Sequence, residues 1–203
     1  MHRYSDAMVS PPLVDTPVLS FKTPKAWATW LAKHHDQSKG LWLRLAKKGS
    51  DIPSITYPEA LEVALCYGWI DGQKKGEDDQ YWQQKFTPRG ARSIWSKINC
   101  GKAEAMIEQG LMQAAGLKEI ERAKADGRWD AAYTGQRQAT VPPDLQAALN
   151  ANKKAKAFFA TLDRANRYAI LFRTHNAKKP ETRARRIAQF VEMLAKHEKI
   201  HAT

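Results

Sequence analysis

The feature that most restricts the fold is a change of periodicity near Asn99. Before it, alternating apolar runs take turns with amphipathic helical runs; after it, apolar residues recur only at helical spacing. Gly40 to Ala46 (GLWLRLA) places Leu41, Leu43 and Leu45 on one face and Trp42, Arg44 and Ala46 on the other, the pattern of a half-buried strand. Val18 to Phe21 is a short apolar run suited to an edge strand. Trp69-Ile70-Asp71-Gly72 and Tyr81 to Thr87 read as two more strands, joined by a polar connection over residues 73–79 and ended by Pro88. Two helices lie between these strands. Thr23-Pro24 opens the first, with Thr as cap and Pro at the first helical position, and Trp27, Trp30, Leu31 and His34 share one face. Thr56-Tyr57-Pro58-Glu59 has the spacing of a capping box, and Gly68 closes that helix. The N-terminal half is therefore βαβαββ, an α+β pattern with a small, mostly antiparallel sheet.

The C-terminal half reads as all-helical. Asn99 is expected to cap a helix carrying Ala103, Met106 and Ile107 and closed by Gly110. Residues 113–126 form another, closed by Gly127, with Trp129 making the apolar contact that accompanies such an end. Residues 130–140 are a polar loop and the candidate internal boundary. Further helices follow from Pro142-Pro143, and the last, Glu181 to Lys196, carries Ile187, Val191 and Leu194 on one face. The expected organisation is a lead-in over 1–17, an α+β core domain over 18–129 and a helical part over 130–203, packed on or beside that core.

Charge and cysteine usage narrow the classes of partner. A chain of 203 residues with 43% hydrophobic residues can bury a sizeable core. No apolar run reaches the length of a membrane span. The first residues lack a basic segment followed by an apolar one, so no signal peptide is expected. Cys66 and Cys100 are too few for a disulfide framework and lack the paired spacing of a zinc site. Reduced thiols, a cytoplasmic location, no metal and no cofactor are the expectations. The net charge of +12 suits an anionic partner: a small molecule, a phosphorylated metabolite, nucleic acid or anionic lipid. It equally suits a solvated basic surface. A protein partner and the oligomeric state stay open.

The stretch Gly68 to Asn99 concentrates the residues able to carry chemistry. Asp71 stands where a helix hands over to a strand and needs a partner if buried. Either it forms a salt bridge that pins the hairpin, or it anchors a ligand or acts as a general base. Lys74, Lys75, Arg89 and Arg92 supply positive charge, and Trp95, Ser96, Lys97 and Asn99 lead into a helix N-terminus, where backbone N–H groups favour an anion. The alternative reading has Ser96 or Asn99 serving only as the cap, with Trp95 in the core. These nine residues are the candidate ligand site. Arg173, His175, Lys178, Lys179, Arg183, Arg185 and Arg186 form a second basic cluster, suited to a nucleic-acid backbone or membrane surface, or to a solvated helix face. No nucleophile elbow, zinc helix, redox dithiol or glycine-rich phosphate loop is present. Asp71 is the sole candidate base, and the balance leans away from an enzyme.

GWIDG, FTPR, SIWSKIN, GRWDAAY, VPPDL and AKKPETRARRIAQFVEML, in that order, resemble the YdeI/OmpD-associated family, often labelled bacteriocin protection. The resemblance runs from about Phe21 to Leu194. Lys85 stands where an Arg is common before FTPR, and Gly90-Ala91 replace a more basic pair. The resemblance implies a bacterial stress- or antimicrobial-tolerance protein of no established reaction, here expected to bind an anionic ligand. An enzyme acting on a phosphorylated or nucleotide-like molecule and a protein-interaction module with exposed tryptophans are the alternatives.

Overall fold

The computed structural model describes residues 16–201, so nearly all of the expected lead-in lies outside the described residues. The elements run β1 (Val18–Ser20), α1 (Pro24–His34), β2 (Leu41–Ala46), α2 (Tyr57–Cys66), β3 (Trp69–Gly76) and β4 (Tyr81–Pro88). Six helices follow: α3 (Lys97–Glu108), α4 (Ala114–Ala125), α5 (Pro143–Ala151), α6 (Lys153–Thr161), α7 (Arg164–His175) and α8 (Pro180–Ala195). The α+β class and the βαβαββ order are as the periodicity predicts. The chain forms two compact units. One comprises residues up to Ser93 with Met106–Glu121; the other comprises Ile94–Ala105 with the chain from Arg122 onward.

The first unit holds the sheet. Its strand order is β1-β2-β4-β3, with β1 parallel to β2 and the other pairs antiparallel. Leu41, Leu43, Leu45 and Phe86 are buried on one face, where α1 lies. Trp27 of α1 is fully buried among the rings of Phe21, Trp30, Phe86 and Trp69, with centroids 5.2, 5.5, 5.9 and 6.1 Å away. Its indole N–H donates to the Ala60 carbonyl at 3.1 Å, and that of Trp69 donates to the His35 carbonyl at 3.0 Å. Both polar ends are satisfied, so the rings can be buried without an orphaned donor. Both expected helix starts form. Thr23 accepts from the Ala26 N–H at 3.2 Å, and the Thr56 N–H donates to the Glu59 carboxylate at 2.9 Å.

Two glycines set how the α2 end meets α4. Gly68 adopts φ +72°, the left-handed conformation that ends α2. Gly116, in the first turn of α4, lies so close to the Cys66 and Leu65 carbonyls that a Cβ there would overlap them. The Gln113 N–H donates to that Cys66 carbonyl at 3.1 Å, which ties the approach to α4 onto the open end of α2.

In the second unit Trp95 is buried, with its ring 4.8 Å from that of Trp129. The main chain on either side of Ser96 pairs with Tyr133: the Lys97 N–H donates to the Tyr133 carbonyl at 2.9 Å, and the Tyr133 N–H to the Trp95 carbonyl at 3.0 Å. Helices α5 to α8 close over a core that includes Leu145, Leu149, Phe159, Ile170, Ile187 and Leu194. Asn166, only 1% exposed, is satisfied on both sides. It donates to the Asp163 carboxylate at 2.8 Å and accepts from the His201 N–H at 2.8 Å.

Two sequence expectations need correction. β3 continues to Gly76, so Gln73, Lys74 and Lys75 are strand residues and not part of the connection. The turn is shorter because Asp78 accepts the Gln80 and Tyr81 N–H groups at 2.8 and 2.7 Å and closes it locally. Helix α3 starts at Lys97 and is capped by Ser96, whose hydroxyl accepts the Asn99 N–H at 3.1 Å. Asn99 therefore lies inside the first turn.

Overlap at a backbone wall cannot be relieved by a rotamer change. Gly116→Ala is expected to lower stability by roughly 1–3 kcal/mol, read as a shift in the urea midpoint. An unchanged midpoint would refute the close contact between α4 and the end of α2.

Candidate functional site

Asp71 and Lys74 are separated by a β-bulge. Asp71 pairs with Phe86 and Lys74 with Gln84, so β3 carries one residue more than β4 between them. The bulge exposes carbonyls that a regular ladder would satisfy. Gln84, 4% exposed, answers them: its amide donates to Gly72 O at 2.9 Å and Gln73 O at 3.2 Å. Because side chains alternate, the extra residue changes the face of everything after it. Lys74 falls on the face of Gln84 and Phe86. Lys75, paired with Gln83, falls on the opposite face with Trp42 and Lys85.

Asp71 is half-buried and accepts a hydrogen bond from the Tyr57 hydroxyl at 2.9 Å. Among the described residues it forms no ion pair. A tyrosine at the start of α2 thus pins the hairpin where the sequence suggests a lysine or arginine. The Tyr57 ring lies 6.0 Å from Trp82, and both line a cavity of about 550 Å³ with Lys47, Lys48 and Ser54 of the β2–α2 loop. Neither Tyr57 nor Trp82 stands out in the sequence, where Tyr57 reads only as a residue of the capping box.

On the opposite face two ammonium groups converge on one indole. Lys75 Nζ lies 4.4 Å and Lys85 Nζ 5.6 Å from the centre of the Trp42 ring. Neither is paired with a carboxylate among the described residues. Arg44 stacks 3.8 Å over Tyr81 and is held by Glu77 at 2.6 Å and Asp78 at 3.6 Å. The N–H groups of Gln80 and Tyr81 keep the Asp78 carboxyl below its usual pKa, with a smaller contribution from Arg44.

The other predicted residues are dispersed. Arg89 is buried, and its main-chain N–H donates to the Gly68 carbonyl at 2.9 Å. Arg92 is exposed. Trp95, Ser96, Lys97 and Asn99 belong to the second unit, and Trp95 is a core residue there. The N-terminal N–H groups of α3 are largely engaged from within. That of Lys97 goes to Tyr133, that of Asn99 to the Ser96 hydroxyl, and that of Cys100 to the Ser96 carbonyl at 2.9 Å. Little of the donor supply expected for an anion is left at this end. Cys66 is buried, and burial, then the nearby Glu62, pushes its thiol up to about 11, so it stays protonated at neutral pH. No group of three or more His, Cys, Asp or Glu able to hold a metal is found among the described residues. No helix there is long and apolar enough to cross a membrane.

The C-terminal basic cluster is partly internal. Arg183 grips Asp144 with Nε and with Nη2, the latter at 2.9 Å, and its Nη1 donates to the Thr174 carbonyl at 2.7 Å. Arg186 donates to the Arg173 carbonyl at 2.8 Å. Hydrogen bonding from Arg183 holds the Asp144 carboxyl below its usual pKa. Between α7 and α8 these arginines cap the last carbonyls of one helix from the first turns of the next. A smaller cavity of about 170 Å³ in this unit is lined by Tyr133, Thr140, Tyr168, Phe172 and His175, residues that sequence spacing does not bring together.

Two predictions follow from these contacts. Tyr57→Phe removes the donor to Asp71 and is expected to cost about 1–2 kcal/mol, measured by denaturant unfolding; no change would show that Asp71 is not held by this bond. Asp144 carries a depressed folded pKa, so its stabilisation is present above the ordinary carboxylate range and is lost as pH falls through the lower folded value. Asp144→Asn is expected to flatten that acid loss by about 1 kcal/mol at most, since Asp144 is 43% exposed. Parallel acid-unfolding curves for the two proteins would contradict it.

Residues 138–197 match the family model described as "Bacteriocin-protection, YdeI or OmpD-Associated". Residues 19–119 match a different one, "Domain of unknown function (DUF8412)". No curated protein and no solved structure matches the chain. The resemblance read from the motifs therefore holds for VPPDL and the ETRARR helix, while GWIDG, FTPR and SIWSKIN fall in the separately described domain. Asp144 and Arg183, the two ends of one ion pair, come from the two motifs that lie in the matched segment. Over residues 138–197 the chain is similar to the YdeI/OmpD-associated, bacteriocin-protection family.

Proposed function

We propose that the protein binds an anionic ligand on the sheet face of its first unit that carries Trp42, Lys75 and Lys85. Its support is the convergence of two ammonium groups on one indole with no carboxylate paired to them among the described residues. Side by side they suit a phosphate or similar anion, and the indole holds their stems in place. Of the nine candidate residues, Lys75 belongs to this face. Asp71 acts through Tyr57, keeping the hairpin against α2. The remaining members are left to structural or separate roles. The family description connects the second unit with protection against bacteriocins. Anion binding in the first unit then serves a tolerance response, in a cytoplasm that keeps thiols such as Cys66 and Cys100 reduced.

A thermal-shift series with inorganic phosphate, pyrophosphate and mononucleotides at low salt tests this, because a ligand of the native state raises the melting temperature. At least one is expected to raise it, with the effect shrinking as salt increases. The double variant Lys75→Gln/Lys85→Gln is expected to bind roughly tenfold more weakly or worse. A rise of the same size in that variant would move the site elsewhere.

A further inference from the structure

The same sheet face carries more than an anion clamp. Trp42 and Arg44 stand two positions apart on one side of β2, about 7 Å along the strand. Tyr81, paired opposite Ala46, continues the row on β4. All three side chains are partly exposed, and Arg44 retains 34% of its side-chain surface. The row is thus an indole, then a guanidinium over a phenol ring, its Cζ 3.8 Å from the ring centre. Each member is a planar group, and planar groups stack on nucleobases whatever the base. Charge is graded along the row. Lys75 and Lys85 lie over the Trp42 ring with no carboxylate paired to them among the described residues, while Glu77 balances Arg44 at 2.6 Å near the turn. Next to Lys85, Gly72 adds no side chain to the face; a Cβ there would meet Lys85 Cβ at 3.8 Å and the Lys85 carbonyl oxygen at 3.9 Å.

We propose that this face is a stacking platform for single-stranded nucleic acid, accommodating about two or three bases. Drawn onto the phosphates, the two ammonium groups would leave the Trp42 ring open to one base, with another over the Arg44–Tyr81 pair. This rests on the anion-binding site proposed above and adds the ligand class: a base-bearing polyanion, in preference to a small phosphate. A duplex is disfavoured because its bases are already stacked on one another and show this face only their edges.

The test uses the full chain and two labelled DNA oligomers of about a dozen units. One is oligothymidylate and the other is abasic, with the same length and charge. Fluorescence anisotropy is followed over a salt series. Oligothymidylate is expected to bind at least about tenfold tighter than the abasic strand. Trp42→Leu and Tyr81→Leu should each remove much of that advantage and leave abasic binding unchanged, with the melting temperature checked for each. If Trp42→Leu does not fold, Tyr81→Leu and quenching of tryptophan fluorescence by oligothymidylate decide the matter. Equal affinity for both strands, weakened alike by Lys75→Gln/Lys85→Gln, would overturn the platform and leave the anion site standing. A melting shift with pyrophosphate but no binding of either oligomer would have the same meaning. Absence of both would overturn the two together.

Discussion

The side-chain amide of Gln84 determines what the first unit presents to a ligand. Its bonds to the Gly72 and Gln73 carbonyls take up acceptors that the bulge in β3 removes from the ladder, at a part-buried position. Without the bulge, strict alternation would place Lys75 on the side of Phe86, against α1 and α2. The extra residue turns it to the Trp42 side and leaves Asp71 facing Tyr57. The extra residue thereby puts Lys75 on the face opposite Asp71, while Lys74 shares the Asp71 face and the carboxylate is held by Tyr57 in place of a lysine.

That arrangement depends in turn on a rigid backing. The other face of the sheet is sealed by Trp27, Trp69 and Phe86, whose rings pack edge-on and tilted within about 6 Å, with the Trp27 indole N–H reaching an α2 carbonyl and that of Trp69 the carbonyl of His35, just past α1. Gly40 shows how close this fit is: at φ +129° it lies against the Phe86 carbonyl and the Thr87 side chain, and any larger residue would strain both backbone and contact. A platform for binding gains precision from a support that does not give.

Much of the fold is legible from local chemistry. The alternation in LWLRLA, the Thr56–Glu59 box and the helix-ending Gly68 each act within a few residues, so spacing alone reveals them. The bulge is not legible, because its cause, Gln84, lies on the partner strand and looks like any polar strand residue. For the same reason Trp42, whose place in the half-buried alternation is plain, does not announce its lysines. The candidate stretch from Gly68 to Asn99 is continuous in sequence but is divided by the boundary at Ser93, with the consequence that Trp95 and Ser96 serve the core and a helix cap of the second unit. Charge composition misleads in one particular way: ETRARR reads as an exposed basic face, whereas Arg183 and Arg186 are engaged by a carboxylate and by carbonyls of the neighbouring helix.

Arg183 also makes the family segment cooperative. Its guanidinium holds the first turn of α5 through Asp144 and the last turn of α7 through the Thr174 carbonyl, while its own Cα sits in the first turn of α8. Fraying of one of these ends therefore costs a contact on a side chain that also serves the others, which couples the three within the modest strength of a part-exposed pair. A lysine, with a single point of charge, has no geometry for that threefold grip. The segment therefore gains from one planar cation a unity that its short helices, separately close to the limit of stable length, would lack.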